Sequence, residues 1–248
     1  MITGASSGIG WATAEVLGKD GASLILCGRR ESRLKELQAK LNTPSYILVF
    51  DVRDKKRVFE KINSLPEKFS SIDILINNAG NAHGLNPVHE ADLNDWDAMI
   101  DTNFKGLMYV TKAVLPTMVS RKKGHIINLG SIAGKEVYPN GSVYCSSKFA
   151  VDAFTEGLRL DLNPMGIKVS AIHPGMVNTE FSEIRFKGNK HKASQVYKGL
   201  TPLSAKDVAD LIEFMVLAPD HVNIADVLLL PKAQANTYVA NRKSSTKL

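Results

Sequence analysis

The stretch TGASSGIG (residues 3–10) decides how the chain begins to fold, because it joins a short apolar segment to a helical pattern. Its glycines, Gly4, Gly8 and Gly10, follow the spacing G-x-x-x-G-x-G. Glycine permits a tight turn, and the free N–H groups of a helix N-terminus attract a pyrophosphate. A glycine-rich loop alone is weak evidence, but its position between a strand and a helix predicts a dinucleotide-binding turn. The residues assigned to this turn are Gly4, Ser6, Ser7, Gly8, Ile9 and Gly10.

Downstream of this turn, short apolar runs alternate with amphipathic segments. The runs that predict buried strands are 23–28, 46–51, 72–80, 124–131, 167–175 and about 225–230. The segments that predict helices are 9–19, 30–41, 54–64, 94–120, 143–163 and 205–217. Strands that alternate with helices indicate right-handed crossovers, so we expect an α/β fold with a doubly wound (Rossmann) parallel sheet of about seven strands and helices on both faces. Without a linker or repeat, residues 1–248 are expected to form a single domain.

The first strand raises a question of its own. Only two or three residues precede the glycine turn, whereas a central strand commonly has about five. We expect either an unusually short strand or residues upstream of Met1 that this sequence does not include.

The overall composition restricts the class of ligand. The chain has 31 Lys and Arg against 25 Asp and Glu, a net charge of +6, but its basic residues are dispersed. The densest groups are 121–123, 185–192 and the tail 241–247. Dispersed charge favours a small anionic ligand over nucleic acid, and the apolar runs are too short to cross a membrane. With two cysteines and no leader-like start, we expect a cytoplasmic protein without a disulfide framework, and no metal.

The end of the second predicted strand indicates which dinucleotide is bound. An acidic residue there accepts a hydrogen bond from the ribose of NAD, whereas a cationic residue accommodates the 2′-phosphate of NADP. The chain has Arg29 and Arg30 at this point, and the first acid is Glu31. Guanidinium groups match phosphate oxygens, so we predict NADP. Asp51 and Val52, which close the third predicted strand, are placed to meet the adenine ring.

The stretch SVYCSSKF (residues 142–149) contains a pair of residues that could perform proton chemistry. Tyr144 and Lys148 lie four positions apart, so on a helix they share one face. A free tyrosine has a pKa of about 10, which is too high for a base near neutral pH, and a nearby ammonium favours the phenolate. Taken by itself, the same spacing is also compatible with a packing role.

Several stretches together resemble the short-chain dehydrogenase/reductase family from residue 3 to about residue 230. The elements that carry the resemblance are TGASSGIG (3–10), NNAG (77–80), Asn103, Ser131, the Tyr144/Lys148 pair and HPGMVNTEF (173–181). Ser131 lies thirteen positions before Tyr144, as in the family's active site. The resemblance implies an enzyme that acts on a CH–OH group by hydride transfer. It also implies that the Tyr144/Lys148 pair is catalytic.

The resemblance assigns a role to each matching residue. Tyr144 would be the general acid/base, and Lys148 would favour its phenolate and bond the nicotinamide ribose. Ser131 would donate a hydrogen bond to the substrate oxygen, and Asn103 would hold a water that links Lys148 to solvent. Further cofactor contacts are implied at Asn77, Ala79, Gly80, Pro174, Gly175, Val177 and Thr179, in addition to Tyr144 and Lys148. Two alternatives stay open: Asn103 as a cap or bridge within its helix, and Asn77 as a turn former.

Three stretches resemble a narrower group, the NADP-dependent 3-hydroxy acid dehydrogenases, which includes serine and allo-threonine dehydrogenases. They are EFSEIRFKG (180–188), HVNIADVLLLPKAQA (221–235) and IDTNFKGLMYVTKAVLPTM (100–118). This implies reversible oxidation of a small 3-hydroxy acid of the serine, allo-threonine or 3-hydroxypropionate type to its 3-oxo acid or semialdehyde. It also implies a homotetramer built partly on helices 94–120 and 143–163. Many NADP-preferring relatives have Lys or Arg where this chain has Ser7, so Arg29 and Arg30 would supply more of the selectivity.

Two other functions remain compatible with the sequence. One is an NADPH-dependent reductase of another carbonyl class, such as a 3-oxoacyl thioester or an apolar ketone. The other is a non-catalytic NADP-binding regulator, although such a protein has no need of Ser131, Tyr144 and Lys148 together.

Residues 176–200 are expected to form a lid over the substrate. The segment follows HPG, has few strong helix or strand signals and contains a dense positive cluster. Such segments commonly close over small substrates. A small hydroxy acid offers little apolar surface, so its carboxylate must provide orientation, and we predict that Arg185 binds it. The alternative is that Arg185, Lys187 and Lys190 are ordinary solvated charges.

Overall fold

The computed structural model of the chain describes residues 1–243; the end of the basic tail, 244–248, lies outside the described residues. Within residues 1–243, seven strands form one sheet in which every pair of neighbours is parallel. In chain order the strands are β1 (Ile2–Thr3), β2 (Leu24–Gly28), β3 (Ser45–Val49), β4 (Ile74–Asn77), β5 (Gly124–Leu129), β6 (Ile167–Pro174) and, after two short strands outside this sheet, β9 (Asp226–Leu229). Their spatial order is β3-β2-β1-β4-β5-β6-β9, which confirms the predicted doubly wound sheet.

Helices cover both faces of this sheet. The longer ones are α1 (Gly8–Lys19), α2 (Glu31–Lys40), α3 (Lys55–Asn63), α5 (Leu93–Ile100), α6 (Leu107–Arg121), α7 (Ser142–Leu162) and α10 (Ala205–Leu217), and α4 (Glu67–Ser70) is a single turn. One core contains Val58, Val110 and Leu158 from the helices of one face. The other contains Leu17 and Ile212 from α1 and α10 on the opposite face. The helices named in these two cores therefore bury their apolar sides against the sheet, as the period of their apolar residues predicts.

The order of the strands reverses between β1 and β4, which places a crevice at their carboxyl ends. The glycine turn is held against this crevice by very close contacts. A Cβ atom on Gly10 would lie 2.5 Å from Asn78 Nδ2 and 2.6 Å from the Gly4 carbonyl oxygen. Asn78 Nδ2 in turn donates to the Thr3 carbonyl at 2.9 Å. Only glycine at position 10 allows the turn to sit this close to the end of β4.

Some strands and helices differ in length from those predicted. β1 has only two residues, which is compatible with both of the alternatives given for the first strand. β4 ends at Asn77 rather than at residue 80, because the Asn78 and Ala79 N–H groups both donate to Thr3 Oγ1 and turn the chain out of the sheet. The helix predicted at 94–120 is interrupted between α5 and α6 by a π-helical turn, Asp101–Gly106. There a Cβ atom on Gly106 would lie 2.6 Å from Val52, so the wider turn accommodates a close contact.

The predicted lid segment, 176–200, contains more regular structure than its sequence indicates. It includes β7 (Val177–Asn178) and two short helices, α8 (Phe181–Arg185) and α9 (Lys190–Gln195). β7 pairs in parallel with β8 (Leu203–Ser204), which leads into α10. Short helices escape sequence analysis because five or six residues provide too few turns to show a periodic pattern. None of the helices within residues 1–243 has the length and apolar character needed to cross a membrane.

A buried polar network joins the strands and helices around the site. Asn77 is 2% exposed, and its Nδ2 donates to Thr111 Oγ1 on α6 and to Asn128 Oδ1 on β5, each at 2.9 Å. Asn128 Nδ2 donates onward to Thr155 Oγ1 on α7 at 2.9 Å. Sequence analysis predicts Asn77 as a cofactor contact, but the structure points its side chain into this network. Asn77 therefore connects β4 to the helix that contains Tyr144 and Lys148.

We predict that Asn77→Ala destabilises the protein without affecting the cofactor site directly. The variant leaves Asn128 Oδ1 without its donor and opens a small cavity, so the free energy of unfolding should fall by about 2–4 kcal/mol. Denaturant unfolding measures this loss, and the exposed Asn94→Ala provides a control with an expected change below about 0.5 kcal/mol. NADP affinity should change by less than about threefold; a large loss of NADP binding at unchanged stability would restore Asn77 as a cofactor contact.

Candidate active site

A cleft of about 700 Å³ opens at the carboxyl ends of the strands, where the predicted site residues come together. Most of the predicted residues line it: Gly4, Ser6, Ser7, Gly8, Ile9, Arg29, Arg30, Asp51, Val52, Ala79, Gly80, Ser131, Tyr144, Lys148, Pro174, Gly175, Val177 and Thr179. Four predicted residues do not line the cleft: Gly10, Asn77, Asn103 and Arg185. Gly10 and Asn77 have packing roles, whereas Asn103 and Arg185 contact residues of the cleft.

The glycine turn presents the N-terminus of α1 to the cleft. Gly4 and Gly8 have φ values of +67° and +55°, a backbone conformation that other residues rarely adopt. Ser7 precedes α1 without making a side-chain cap, and no acidic residue stands in the first turn. The first N–H groups of the helix are therefore available to an anion. A Cβ atom on Gly8 would lie 3.4 Å from Thr179, so residues 176–200 approach the glycine turn closely at this position.

Three arginines, Arg29, Arg30 and Arg53, line the end of the cleft at β2 and β3. Arg30 lies against the glycine turn, where its Nε donates to Ser6 Oγ and its Nη2 to the Ser6 carbonyl, each at 3.2 Å. Its Nη1 reaches across the cleft to Glu180 Oε2 at 2.9 Å. Arg29 is largely exposed, with its Nη1 3.7 Å from Asp51 Oδ2. These guanidinium groups can bind a phosphate group at the ribose end of a dinucleotide.

Asp51 is more strongly engaged than its predicted role beside the adenine ring indicates. Two nitrogens of Arg53 donate hydrogen bonds to Asp51 Oδ2: Nε at 3.0 Å and Nη2 at 2.7 Å. Burial by itself raises the pKa of Asp51, but the hydrogen bonds from Arg53 and the charge of Arg29 outweigh burial and lower the pKa. Asp51 therefore stays ionised and holds Arg53 in the wall of the cleft.

Ser131, Tyr144 and Lys148 meet in the cleft as predicted, and all three are at least 90% buried. Ser131 follows β5 with an extended backbone, and its Oγ accepts a hydrogen bond from Ala133 N at 3.1 Å. Lys148 Nζ donates to the Leu129 carbonyl at 2.8 Å. Burial lowers the pKa of Lys148 to about 8, because the ammonium has lost most of its hydration.

A cation that the sequence analysis assigned to the substrate, Arg185, lies beside the tyrosine. Burial raises the pKa of Tyr144, and the Arg185 charge and the Ser131 hydroxyl oppose that shift. The Arg185 guanidinium carbon lies 4.9 Å from the centre of the Tyr144 ring. Lys148 is instead directed at the Leu129 carbonyl. The structure therefore adds Arg185 as a cation beside the Tyr144 ring, and the expected effect of Lys148 on the phenolate stays a prediction.

Asn103 lies in the π-helical turn and is 1% exposed. Its Oδ1 accepts from Asn81 N at 2.8 Å, and its Nδ2 donates to the Asn81 carbonyl at 2.9 Å and to Ser147 Oγ at 3.0 Å. The side chain therefore bridges to the segment after β4 and to α7, rather than within its own helix. A Cβ atom on Gly80 would lie 3.3 Å from Asn103 Oδ1 and 3.6 Å from Lys148 Nζ, so the two groups flank Gly80.

Arg185 is held in place rather than solvated. Its Nη2 donates to Tyr138 Oη at 2.7 Å, and its guanidinium also lies 5.3 Å from the centre of the Phe181 ring. Its Nε is buried and has no hydrogen-bond partner among residues 1–243. Lys187 does resemble a surface charge, since it is 59% exposed and pairs with Asp95 at 3.0 Å. Arg185 is therefore the member of this basic cluster that is directed at the cleft residues.

Several residues of the site escape sequence analysis. Arg53, Asn81, His83 and Glu180 line the cleft, and Tyr138 binds Arg185 from behind it. Arg53 lies two positions after Asp51 and Glu180 directly follows Thr179, so their neighbours along the chain are the signal that could have identified them. Asn81, His83 and Tyr138 lie in irregular segments, where no periodicity indicates which way a side chain points.

The cleft has the features that a dinucleotide requires. Its volume falls in the range of sites that enclose a ligand, and the free N–H groups of α1 face it. Asn81 Oδ1 is buried at the cleft and has no hydrogen-bond partner within residues 1–243. Basic groups stand at the ribose end, and Tyr144 and Lys148 at the other. The residues present therefore fit NADP.

Comparisons with known proteins agree with this arrangement. Residues 1–190 match the family model described as short chain dehydrogenase. The chain is 43% identical over 236 residues to the NADP-dependent 3-hydroxy acid dehydrogenase of Escherichia coli (strain K12), covering 95% of each protein. It is 46% identical over 238 residues to sulfoacetaldehyde reductase 2 of Chromohalobacter salexigens, covering 95% of this chain and 94% of that protein.

Solved structures show the same similarity. The closed form of a serine dehydrogenase complexed with NADP+ matches with a TM-score of 0.93 and 43% identity, over 95% of this chain and 96% of that chain. The serine dehydrogenase from Escherichia coli matches with a TM-score of 0.82 and 39% identity, over 94% of this chain and 97% of that chain.

The lowered pKa of Lys148 predicts a specific dependence of stability on pH. The pKa falls from 10.5 when unfolded to about 8 when folded, so below pH 8 the buried charge destabilises the folded state fully. As pH rises from 8 to 10.5, the unfolded state binds more protons and the wild type gains stability relative to Lys148→Met. The difference in unfolding free energy between the two should shift by about 2 kcal/mol between pH 7 and pH 9.5.

Denaturant unfolding of the NADP-free protein at both pH values measures this shift. The exposed Lys112→Met is the matched control and should show no such shift, because its ammonium stays in water. A difference between wild type and Lys148→Met that does not change with pH would show that Lys148 keeps an ordinary pKa despite its burial.

Proposed function

This chain belongs to the short-chain dehydrogenase family, and from that premise we propose that it is an NADP-dependent oxidoreductase of small 3-hydroxy acids. It interconverts an acid of the serine, allo-threonine or 3-hydroxypropionate type and the corresponding 3-oxo acid or semialdehyde. The observation that carries the proposal is the Arg185 guanidinium 4.9 Å from the Tyr144 ring. This contact places a binding group for a carboxylate beside a group that can transfer a proton.

NADP supplies the acceptor or donor of the hydride, and this chain's residues hold it. The N–H groups at the start of α1 would bind the pyrophosphate, and Arg29 and Arg30 would bind the 2′-phosphate. Lys148 would bond the nicotinamide ribose, and Thr179 the carboxamide. Pro174, Gly175, Val177, Ala79 and Gly80, which line the cleft, would enclose the cofactor there.

The proton chemistry belongs to Tyr144 and its neighbours. Tyr144 Oη gives its proton to the carbonyl oxygen during reduction and takes the hydroxyl proton during oxidation. Arg185 lowers the pKa of the phenol against the effect of burial. Ser131 Oγ donates a hydrogen bond to the substrate oxygen as negative charge develops on it. Asn103, whose Oδ1 lies beside Gly80 on the same side as Lys148 Nζ, holds the water that connects Lys148 to solvent.

Residues 176–200 close the substrate end of the cleft as a lid. Phe181 lies over Tyr144, with ring centres 5.7 Å apart, and shields the phenol from water. Gly84 N donates to the Arg185 carbonyl at 2.9 Å, so the lid is joined to the loop after β4. Arg185 keeps its bond to Tyr138 and turns its unpartnered Nε towards the substrate carboxylate, which a guanidinium can bind with two nitrogens.

The same anchor supports a second candidate substrate. A sulfonate is also a compact anion with several acceptor oxygens, and the chain is 46% identical to a sulfoacetaldehyde reductase. Arg185 would bind a sulfonate as it binds a carboxylate. By contrast, an apolar ketone or a 3-oxoacyl thioester would leave the half-buried Arg185 charge without an anionic partner, with Tyr138 as its one hydrogen-bond partner among the site residues described above.

We also propose that the protein is a cytoplasmic homotetramer. Phe149 and Leu160 on α7 are 40% and 73% exposed, and exposed apolar side chains on a long helix favour burial against another subunit. Both cysteines, Cys27 and Cys145, are buried and unpaired, which suits a reducing compartment.

An initial-rate panel tests the proposed function. The alcohols are serine, allo-threonine, 3-hydroxypropionate, 2-hydroxyethanesulfonate and neutral propane-1,3-diol, each with NADP and with NAD. We expect turnover of an anionic alcohol with NADP, and a fall in kcat of at least about a hundredfold in Tyr144→Phe with NADP binding retained. NADP binding without turnover of any alcohol would favour the non-catalytic regulator.

Substitution of Arg185 tests the anion anchor. Arg185→Met should lower kcat/KM for 3-hydroxypropionate by ten- to a hundredfold more than that for propane-1,3-diol, a difference of about 1.4–2.7 kcal/mol, because the diol loses only the effect of Arg185 on Tyr144. Lys190→Met, on the same segment but exposed, is the control and should affect neither substrate. Equal losses for both substrates would show that Arg185 acts on Tyr144 alone and that another residue binds the carboxylate.

A further inference from the structure

A network of four charged or ionisable side chains lies beneath the turn that contains Ser131. Its members are Lys135, Asp152, His173 and Asp226, and none of them lines the cleft. Lys135 Nζ donates to both oxygens of Asp152, at 2.9 and 3.0 Å, and to Asp226 Oδ2 at 2.7 Å. Lys135 thus occupies the space between the two carboxylates.

His173 connects this network to Ser131. It lies in β6 and is completely buried, with its Nδ1 3.3 Å from the Ser131 carbonyl oxygen. A carbonyl oxygen only accepts hydrogen bonds, so this contact requires a proton on Nδ1. The ring packs directly against the chain before Ser131, since a Cβ atom on Gly130 would lie 2.4 Å from His173 Nδ1.

The other ring nitrogen faces the carboxylates. Nε2 is 2.9 Å from Asp226 Oδ1 and 3.4 Å from Asp152 Oδ1, but makes no hydrogen bond within residues 1–243. The ring is therefore aligned with the Ser131 carbonyl rather than with a carboxylate. Burial and the Lys135 charge lower the pKa of His173, and the two carboxylates oppose that shift. In a neutral ring with its proton on Nδ1, Nε2 is the acceptor, and a second proton would go to Nε2 beside the two carboxylates.

These contacts fix the Ser131 turn at both of its ends. At its start, the Ser131 carbonyl accepts from Gly134 N at 2.8 Å as well as facing His173. At its end, Lys135 is tied to Asp152, which lies one helical turn beyond Lys148 on α7. The turn is thereby tied both to β6 and to the helix that contains Tyr144. Small shifts of a catalytic group out of position are costly, so such restraints matter for the rate.

We propose that His173 is a positioning residue for Ser131, and that it acts through the hydrogen bond from Nδ1 to the Ser131 carbonyl. The proposal rests on the proposed function, because it assumes that Ser131 Oγ donates to the substrate oxygen. Since that bond strengthens as charge develops on the oxygen, its loss should lower kcat and spare the KM for NADP.

Two substitutions separate the two ring nitrogens. The amide nitrogen of Asn falls near the place of Nδ1, and that of Gln near the place of Nε2. We expect His173→Asn to retain kcat within about threefold of the wild type, and His173→Gln to lose about tenfold. Equal kcat values in the two variants, or a loss in Asn with rescue by Gln, would overturn the proposal. Thermal unfolding of the two variants is the control, because the loss of a purely structural role would lower the unfolding temperature of both equally.

Two further measurements do not depend on those variants folding. Lys135→Met removes the ion pairs that hold the end of the Ser131 turn. We expect kcat to fall about three- to fivefold with NADP affinity unchanged. An unchanged kcat would contradict the idea that this turn must be held in place. Long-range proton–nitrogen NMR spectra of the wild type with labelled histidine should show a protonated Nδ1 for His173 at pH 7. A bare Nδ1 would overturn the proposal whatever the enzyme turns over, whereas absent turnover in the wild type would contradict the proposed function alone.

Discussion

The close contact between the glycine turn and the end of β4 is the constraint on which the rest of the site depends. Gly10 lies so near Asn78 and the Gly4 carbonyl that a Cβ atom at this position would clash with both and push the turn away from β4. Because of this contact, α1 starts directly at the crevice between β1 and β4, with its free N–H groups facing the cleft. The position of a pyrophosphate, and with it the orientation of a whole dinucleotide, follows from that one backbone approach.

Burial gives the chemical groups of the site their properties. Lys148 has a lowered pKa and Tyr144 a raised one because both are almost completely removed from water. Arg185 is the compensating charge for the phenol, although it belongs to a different segment and lies 41 positions further along the chain. The same guanidinium is proposed to bind the substrate anion, so binding of substrate and acidity of the phenol are coupled through one side chain.

The segment around α8 also connects the two ends of the cleft. Glu180, at the start of α8, binds Arg30 beside the glycine turn, and Arg185, at the end of the same helix, reaches Tyr144. The Arg30–Glu180 pair is well exposed on both sides, so it contributes at most about 1 kcal/mol and can exchange for another partner of Arg30. A phosphate at Arg30 and a carboxylate at Arg185 would therefore both act on the position of this short helix.

The amino-acid sequence by itself determined the doubly wound sheet and the glycine turn, because periodicity and spacing are local properties of the chain. Ser131, Tyr144 and Lys148 were expected together only because the sequence resembles a known family. Only the tertiary structure decided that Asn77 points into the polar network while Asn78 holds the glycine turn, that Arg185 lies over Tyr144, and that His173 lies beneath Ser131. Successive residues of a strand face opposite ways, and a period of two does not say which neighbour each will meet. That choice depends on which crossovers bring distant strand ends and loops together.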